Sequence, residues 1–213
     1  KMEIISHRGY WKSEEEKNSV VAFERSFSIG FGTETDLRDR CGEIVISHDM
    51  PTGDEITFEE FLGIYCRYDK SLSLALNIKS DGLQAEVERI LKKYSVSTYF
   101  LFDMSIPDTV GYIEKGLRVF MRSSEYERES DLWEQASGIW VDSFLGHQFD
   151  CGFLERVNST GKDICIVSPE LHKRPHDAEW RLLKDVIEKQ RGVVTILCTD
   201  IPELAKEYFI NGL

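Results

Sequence analysis

No stretch of the chain is apolar over the length that spans a bilayer, and no signal-peptide pattern precedes Met2. An integral membrane segment is not expected, and Met2 reads as the start of the protein with Lys1 an addition. Cysteine is scarce and unpatterned: Cys41, Cys66, Cys151, Cys165 and Cys198 are odd in number and form no C-x-x-C pair. That excludes a disulfide framework and points to a reducing compartment, so a cytoplasmic location is expected. Cys165 and Cys198 lie inside apolar runs and read as core thiols. Basic residues are the minority sign, 26 Lys and Arg against 38 Asp and Glu, for a formal net charge of −12. A nucleic-acid partner would favour a basic face, and an anionic membrane surface would repel such a chain, so neither is expected. Net charge does not fix the sign of one pocket, which leaves room for an anionic small molecule as substrate. There is no zinc-ligand spacing, no P-loop, no nucleophile elbow and no glycine-rich dinucleotide fingerprint after the first strand-like run. Nor is there an internal repeat, a low-complexity tract or a linker that would divide the chain.

What the chain does have is alternation. At 213 residues, 41% of them hydrophobic, it is near the lower end for one (β/α)8 barrel and ample for a single core. Strand-like runs fall at Met2–Ser6, Thr33–Arg38, Ser71–Ile78, Thr98–Phe102, Leu117–Met121, Ile139–Val141, Asp163–Val167 and Val193–Leu197. Glu43–Ser47 is expected to continue the second strand across a Cys41-Gly42 turn. Helix-like runs lie between them: Asn18–Gly30, with Val21, Phe23, Ser26 and Phe27 near one face; Leu83–Tyr94; Ile106–Lys115; Tyr126–Ala136, anchored by Leu132 and Trp133; Phe149–Ser159; Ala178–Gln190; and Pro202–Asn211. Thr57-Phe58-Glu59-Glu60 fits a capping box that opens a short helix to Cys66. Strands each followed by a helix predict an α/β fold, a single-domain (β/α)8 or TIM barrel, in preference to an open doubly wound sheet.

In such a barrel the site lies at the carboxyl ends of the strands. His7-Arg8-Gly9 closes the first strand, where Arg8 offers a planar fork of donors to phosphate oxygens and Gly9 allows a tight turn away. Glu34 and Asp36 are two apart in a strand and so face the same way. Two carboxylates converging inside a barrel repel each other and lose hydration, a conflict that a hard divalent cation resolves. Asn77 and Lys79 repeat the spacing on the third strand, an amide carbonyl for a metal and an ammonium for phosphate or a nearby acid. His48 ends another apolar run and is followed by Asp49, a natural orienting partner for an imidazole. His147, His172 and His176 are given no catalytic role. Lys173 and Arg174 read as solvated loop charges, and Trp11, Trp140, Phe144 and Phe149 as packing aromatics.

These residues resemble the glycerophosphodiester phosphodiesterase family, within the wider superfamily of phospholipase-C-like phosphodiesterases. The matching pieces are His7-Arg8-Gly9, Asn18-Ser19 with Ala22-Phe23 and Gly30, Glu34-x-Asp36 and His48-Asp49. Asn77-Ile78-Lys79 stands in place of the family's Glu-Ile-Lys, and Thr199-Asp200-Ile201-Pro202 looks like its terminal Thr-Asp-x-Pro. The resemblance is strong in the first fifty residues and weak between Asp103 and Val193. It implies a (β/α)8 barrel, a Mg²⁺ or Ca²⁺ ion, and metal-dependent hydrolysis of a small phosphodiester to an alcohol and a phosphomonoester, an activity of lipid metabolism. By position, the resemblance gives His7 and His48 the acid–base roles, Glu34, Asp36 and Asn77 the metal, and Arg8 and Lys79 the phosphate. The chain is a short, divergent match. Asn77 replaces a carboxylate, Lys17 stands where the family has Glu before Asn18, and the inserted subdomain after His48-Asp49 is reduced to the Met50–Lys70 segment. Two other readings remain beside hydrolysis: release of a cyclic phosphate after attack by a substrate hydroxyl, and a barrel that binds a phosphorylated ligand without turning it over.

Overall fold

Leu37, Arg38, Asp39 and Arg40 of β2 (Gly32–Arg40) pair antiparallel with Ile46, Val45, Ile44 and Glu43 of β3 (Glu43–Ile46). The Glu43 run therefore does not prolong β2; it folds back on it. Cys41 and Gly42 both have positive φ, 50° and 84°, the two-residue geometry whose twist matches a hairpin. The computed structural model describes residues 2–146, 150–189 and 195–212. It divides into two compact units, Ser6–Val119 and Lys1–Ile5 with Phe120–Leu213.

In the Ser6–Val119 unit, β2 pairs in parallel with β4 (Leu74–Ile78), and β4 with β5 (Tyr99–Phe102). The helices are α1 (Val20–Ser28), α2 (Phe58–Tyr65), α3 (Gln84–Lys93) and α4 (Ile106–Glu114). The Thr57 capping box is present: its hydroxyl accepts from the Glu60 N–H, and the Glu60 carboxylate accepts from the Thr57 N–H. Helix α1 buries Ala22, Phe23, Ser26 and Phe27, while Val21 is exposed. Its inward stripe thus runs through Ala22, because Gly9 needs a small neighbour there. A Cβ on Gly9 would lie 2.8 Å from the Ala22 Cβ, and Gly9 also has a φ of +80°. Gly9→Ala is expected to cost about 2–4 kcal/mol from overpacking and left-handed strain together. Urea denaturation checks this, and a loss below about 0.5 kcal/mol, within the range of an ordinary surface change, would contradict it.

In the second unit, β6 (Phe120–Ser123), β7 (Gly138–Val141), β8 (Asp163–Val167) and β9 (Thr195–Thr199) pair in parallel in sequence order. Helices α5 (Cys151–Ser159), α6 (Asp177–Lys189) and α7 (Pro202–Lys206) follow β7, β8 and β9. The helix expected over Tyr126–Ala136 is absent; Asp131–Glu134 forms only a short 3-10 turn. The Ser124 hydroxyl accepts from the N–H groups of Tyr126 and Glu127, and this local bonding competes with a helix start. Cys165 and Cys198 are buried, as expected of core residues.

The strand order is β5-β4-β2-β1-β9-β8-β7-β6, where β1 is Met2–His7 and β3 lies beside β2. Leu101 of β5 also bridges Val119 in parallel, just ahead of β6. This is the connectivity of a (β/α)8 barrel. The Met50–Lys70 segment contributes one helix, α2, so the inserted subdomain is minimal.

Candidate active site

The site residues expected from the sequence all fall in the Ser6–Val119 unit. In the parallel β2·β4 register, Glu34 pairs with Ala75 and Asp36 with Asn77, so Glu34, Asp36 and Asn77 share one face of the sheet. All three are buried. Thr33, Thr35 and Leu37 occupy the opposite face, where the Ser6 hydroxyl bonds to the hydroxyls of both Thr33 and Ser26 of α1, and the Thr33 hydroxyl donates to the Ser6 carbonyl. The alternation of β2 therefore separates a structural face from a charged one.

Arg8 and Gly9 both have positive φ, 56° and 80°, and turn the chain sharply off the end of β1. The Arg8 N–H donates to the Glu34 carbonyl at 2.9 Å and to its carboxylate at 3.2 Å. The Arg8 Nε lies 3.4 Å from the Asp36 Oδ2, and the Lys79 Nζ lies 3.6 Å from the Asp36 Oδ1. His7 Nε2 stands 3.9 Å from the Glu34 Oε2. The hairpin accounts for His48: β3 runs back down β2 until the Ser47 N–H donates to the Asp36 carbonyl at 3.0 Å. His48 follows immediately, its carbonyl accepting from Arg38 Nε and its Nδ1 2.9 Å from the Asp49 Oδ1. That hydrogen bond lowers the Asp49 carboxyl below its usual range. A cleft of about 690 Å³ reaches this group at Arg8, Asn18 and His48.

Two participants were not assigned roles from the sequence. Asn18, in a left-handed conformation with φ 58°, donates from Nδ2 to the Asp36 Oδ2 at 3.0 Å and accepts from the Thr35 hydroxyl at 2.8 Å. Its only sequence signal is the Asn-Ser pair that opens α1. Asp103, one residue past β5, accepts from the Asn77 Nδ2 at 2.9 Å. Lys17, which stands where the resembled family has Glu, pairs with Glu14 at 2.6 Å and sits over the Trp11 ring.

The donor set suits a hard cation. Among the described residues no three His, Cys, Asp or Glu side chains converge as a metal cage. What shares the buried face is two carboxylates and an amide, which offers a carbonyl oxygen, all oxygen donors. Asp36 Oδ1 and Asn77 Oδ1 are buried and accept no hydrogen bond; the Lys79 ammonium 3.6 Å away partly offsets the first, and the second is an open acceptor that a cation would satisfy. Burial, and then the adjacent Asp36 charge, push the Glu34 carboxyl well above its ordinary 4.5; Arg8 and Lys79 oppose this without cancelling it.

A group whose pKa is higher folded than unfolded holds more protons folded, so stability falls as pH rises past the unfolded value. Without divalent ions the protein should therefore lose stability as pH climbs above 4.5 toward the raised Glu34 value, and Glu34→Gln should remove that part of the slope. Thermal melts across pH in EDTA check it; an identical slope in the variant would contradict it.

The second unit has its own polar cluster at the strand ends. His172, given no role from the sequence, has its Nε2 2.6 Å from the Asp142 Oδ1, and the Phe144 ring lies 4.8 Å from it. Arg174 is engaged by Glu179 and the Ser143 carbonyl. Glu170 accepts from the Thr199 hydroxyl and the Asp200 N–H, so the Thr-Asp-x-Pro stretch anchors the end of β9 before Pro202 opens α7. His147 and Phe149 lie outside the described residues.

No family model matches the chain, and no curated protein matches it. Solved structures do. A glycerophosphodiester phosphodiesterase from Parabacteroides distasonis superposes with a TM-score of 0.77 at 18% identity, over 99% of this chain and 98% of that one. The chain has the fold of the glycerophosphodiester phosphodiesterases. An Oleispira antarctica phosphodiesterase, solved with its product sn-glycerol-3-phosphate, matches with a TM-score of 0.71 at 15% identity, over 97% and 96% of the two chains. A Ca²⁺-dependent phosphatidylinositol-specific phospholipase C from Streptomyces antibioticus matches at 0.63 and 11%, over 96% of each chain. All three share its barrel along nearly the whole length.

Proposed function

We propose that the chain is a phosphoric diester hydrolase, a single barrel domain that splits a small glycerophosphodiester-like substrate into an alcohol and a phosphomonoester with a divalent cation, Mg²⁺ or Ca²⁺. The observation that carries this reading is the buried face of β2 and β4, where Glu34, Asp36 and Asn77 stand with Arg8 and Lys79 beside them. The phosphodiesterases of the same fold support it. Glu34, Asp36 and Asn77 would hold the cation, which when bound offsets charge on a non-bridging phosphate oxygen. Arg8 and Lys79 bind the remaining phosphate oxygens, their charges already drawn to the site by Asp36.

His7 and His48 move the protons. An alkoxide is a poor leaving group, so one imidazole protonates it as its P–O bond breaks while the other takes a proton from the attacking water. Asp49 on Nδ1 of His48 favours the tautomer that leaves Nε2 to exchange that proton. The substrate is a small molecule in the cytoplasm, with no nucleic acid involved; no helix of the described residues is long and apolar enough to cross a membrane.

A substrate hydroxyl in place of water would give a cyclic phosphate, the phospholipase-like alternative that the same two histidines would serve. Phosphorus NMR in heavy-oxygen water tests the hydrolytic reading. The expected product is a phosphomonoester carrying the heavy oxygen. A cyclic product without it would assign the phospholipase-like route, and a substrate unchanged with both ions would contradict hydrolysis.

A further inference from the structure

Asn77 pairs with Phe102 in the β4·β5 register, so the two side chains share a face. Asp103 follows Phe102, and in extended backbone its side chain would point to the other face. Instead Asp103 has a φ of 69°, a left-handed conformation that Asp tolerates better than most residues. The turn brings its carboxylate back toward Asn77, where Oδ2 accepts from Nδ2 at 2.9 Å. An ionised carboxylate has no proton to donate, so it can face only the NH₂ end of the amide. The Asn77 Oδ1 must then point away from Asp103. That atom is buried and accepts no hydrogen bond, and the register partner of Asn77 is Asp36, whose Oδ1 also accepts none.

We propose that Asp103 is a positioning residue for the cation site: it locks the Asn77 amide so that the carbonyl oxygen, and not the NH₂ group, faces the ion. A carboxylate at position 77 would need no such lock, since both its ends are acceptors. An asparagine there is a ligand in one orientation and a repulsive donor in the other. The Asn77–Asp103 couple thus replaces one acid with an amide and an acid on the next strand. This inference rests on the ion-dependent reading of the site.

Calorimetric titration with MgCl₂ and with CaCl₂ tests it on four proteins: wild type, Asp103→Asn, Asn77→Glu and the double variant. Asp103→Asn should weaken binding roughly 10-fold or more, the usual scale for losing a partner that orients a ligand, with an unchanged ion-free melting temperature. Asp103→Gly keeps the left-handed turn without the carboxylate and should show the same loss, which covers a failure of the first variant to fold. Asn77→Glu should bind more tightly than wild type, because a third charged ligand raises affinity for a hard cation. Adding Asp103→Asn to Asn77→Glu should cause no loss, since no amide remains to orient. The difference between the two backgrounds is the coupling that a mere charge effect would not produce. Unchanged affinity in both Asp103 variants, or an equal loss in both backgrounds, would overturn the proposal while leaving the cation site standing. A wild type that binds neither ion would overturn the ion-dependent reading itself.

Discussion

His7→Ala and His48→Ala should each lower turnover by roughly 10²–10⁴ with the fold intact, the scale of losing general acid–base help. The structure makes the separation of activity from stability a sharp expectation. His48 has 41% of its side chain exposed and is tethered mainly to the exposed Asp49, so its removal opens no core cavity. His7 lies at the end of β1, where its neighbour Arg8 makes the anchoring backbone bonds to Glu34. Both variants should therefore melt close to wild type. Asp49→Asn should cost less than His48→Ala, because it loosens the imidazole without removing it. Near-normal turnover in either alanine variant would remove the paired-histidine mechanism. A loss of stability like that of a core deletion would turn that histidine into a structural residue.

Glu34→Gln and Asp36→Asn should each abolish the ion-dependent part of the activity and the thermal stabilisation produced by Mg²⁺ or Ca²⁺, since binding stabilises only the state that binds. Their ion-free stabilities should move in opposite directions at neutral pH. Glu34 is buried with its carboxyl pushed upward, so a neutral isostere relieves a cost. Asp36 has Arg8 and Lys79 within 3.6 Å or less, so its neutralisation leaves two cations without their partner. Melting curves with EDTA and with excess ion read both effects in one experiment. An undiminished ion-induced shift in both variants would place the ion elsewhere.

The sequence made the barrel legible because its period changes from strand to helix at nearly every junction, and because Glu34 and Asp36 two apart must share a face whatever the surroundings. The hairpin was harder to read. Cys41-Gly42 marks a turn, but whether the following run continues or reverses depends on pairing with Leu37 and Asp39, which a local pattern does not carry. That reversal is what returns His48 to the level of Asp36. The Tyr126–Ala136 segment has a helical pattern overridden by the Ser124 turn. Asp103 was illegible for a related reason: strict alternation puts it on the wrong face, and only its left-handed backbone brings it to Asn77. Asn18 was visible as part of a motif, but its contact with Asp36 spans 18 positions and belongs to tertiary structure.

The proposed activity is ion-dependent phosphodiester cleavage by the buried face of β2 and β4. Turnover of bis-(p-nitrophenyl) phosphate by chelator-stripped protein, before and after addition of Mg²⁺, Ca²⁺ or Mn²⁺, tests it most directly. The expected result is no measurable release of nitrophenol in chelator, release that saturates with at least one ion, and loss of that release in Glu34→Gln. No release with any of the three ions, or release that persists undiminished in EDTA, would contradict it.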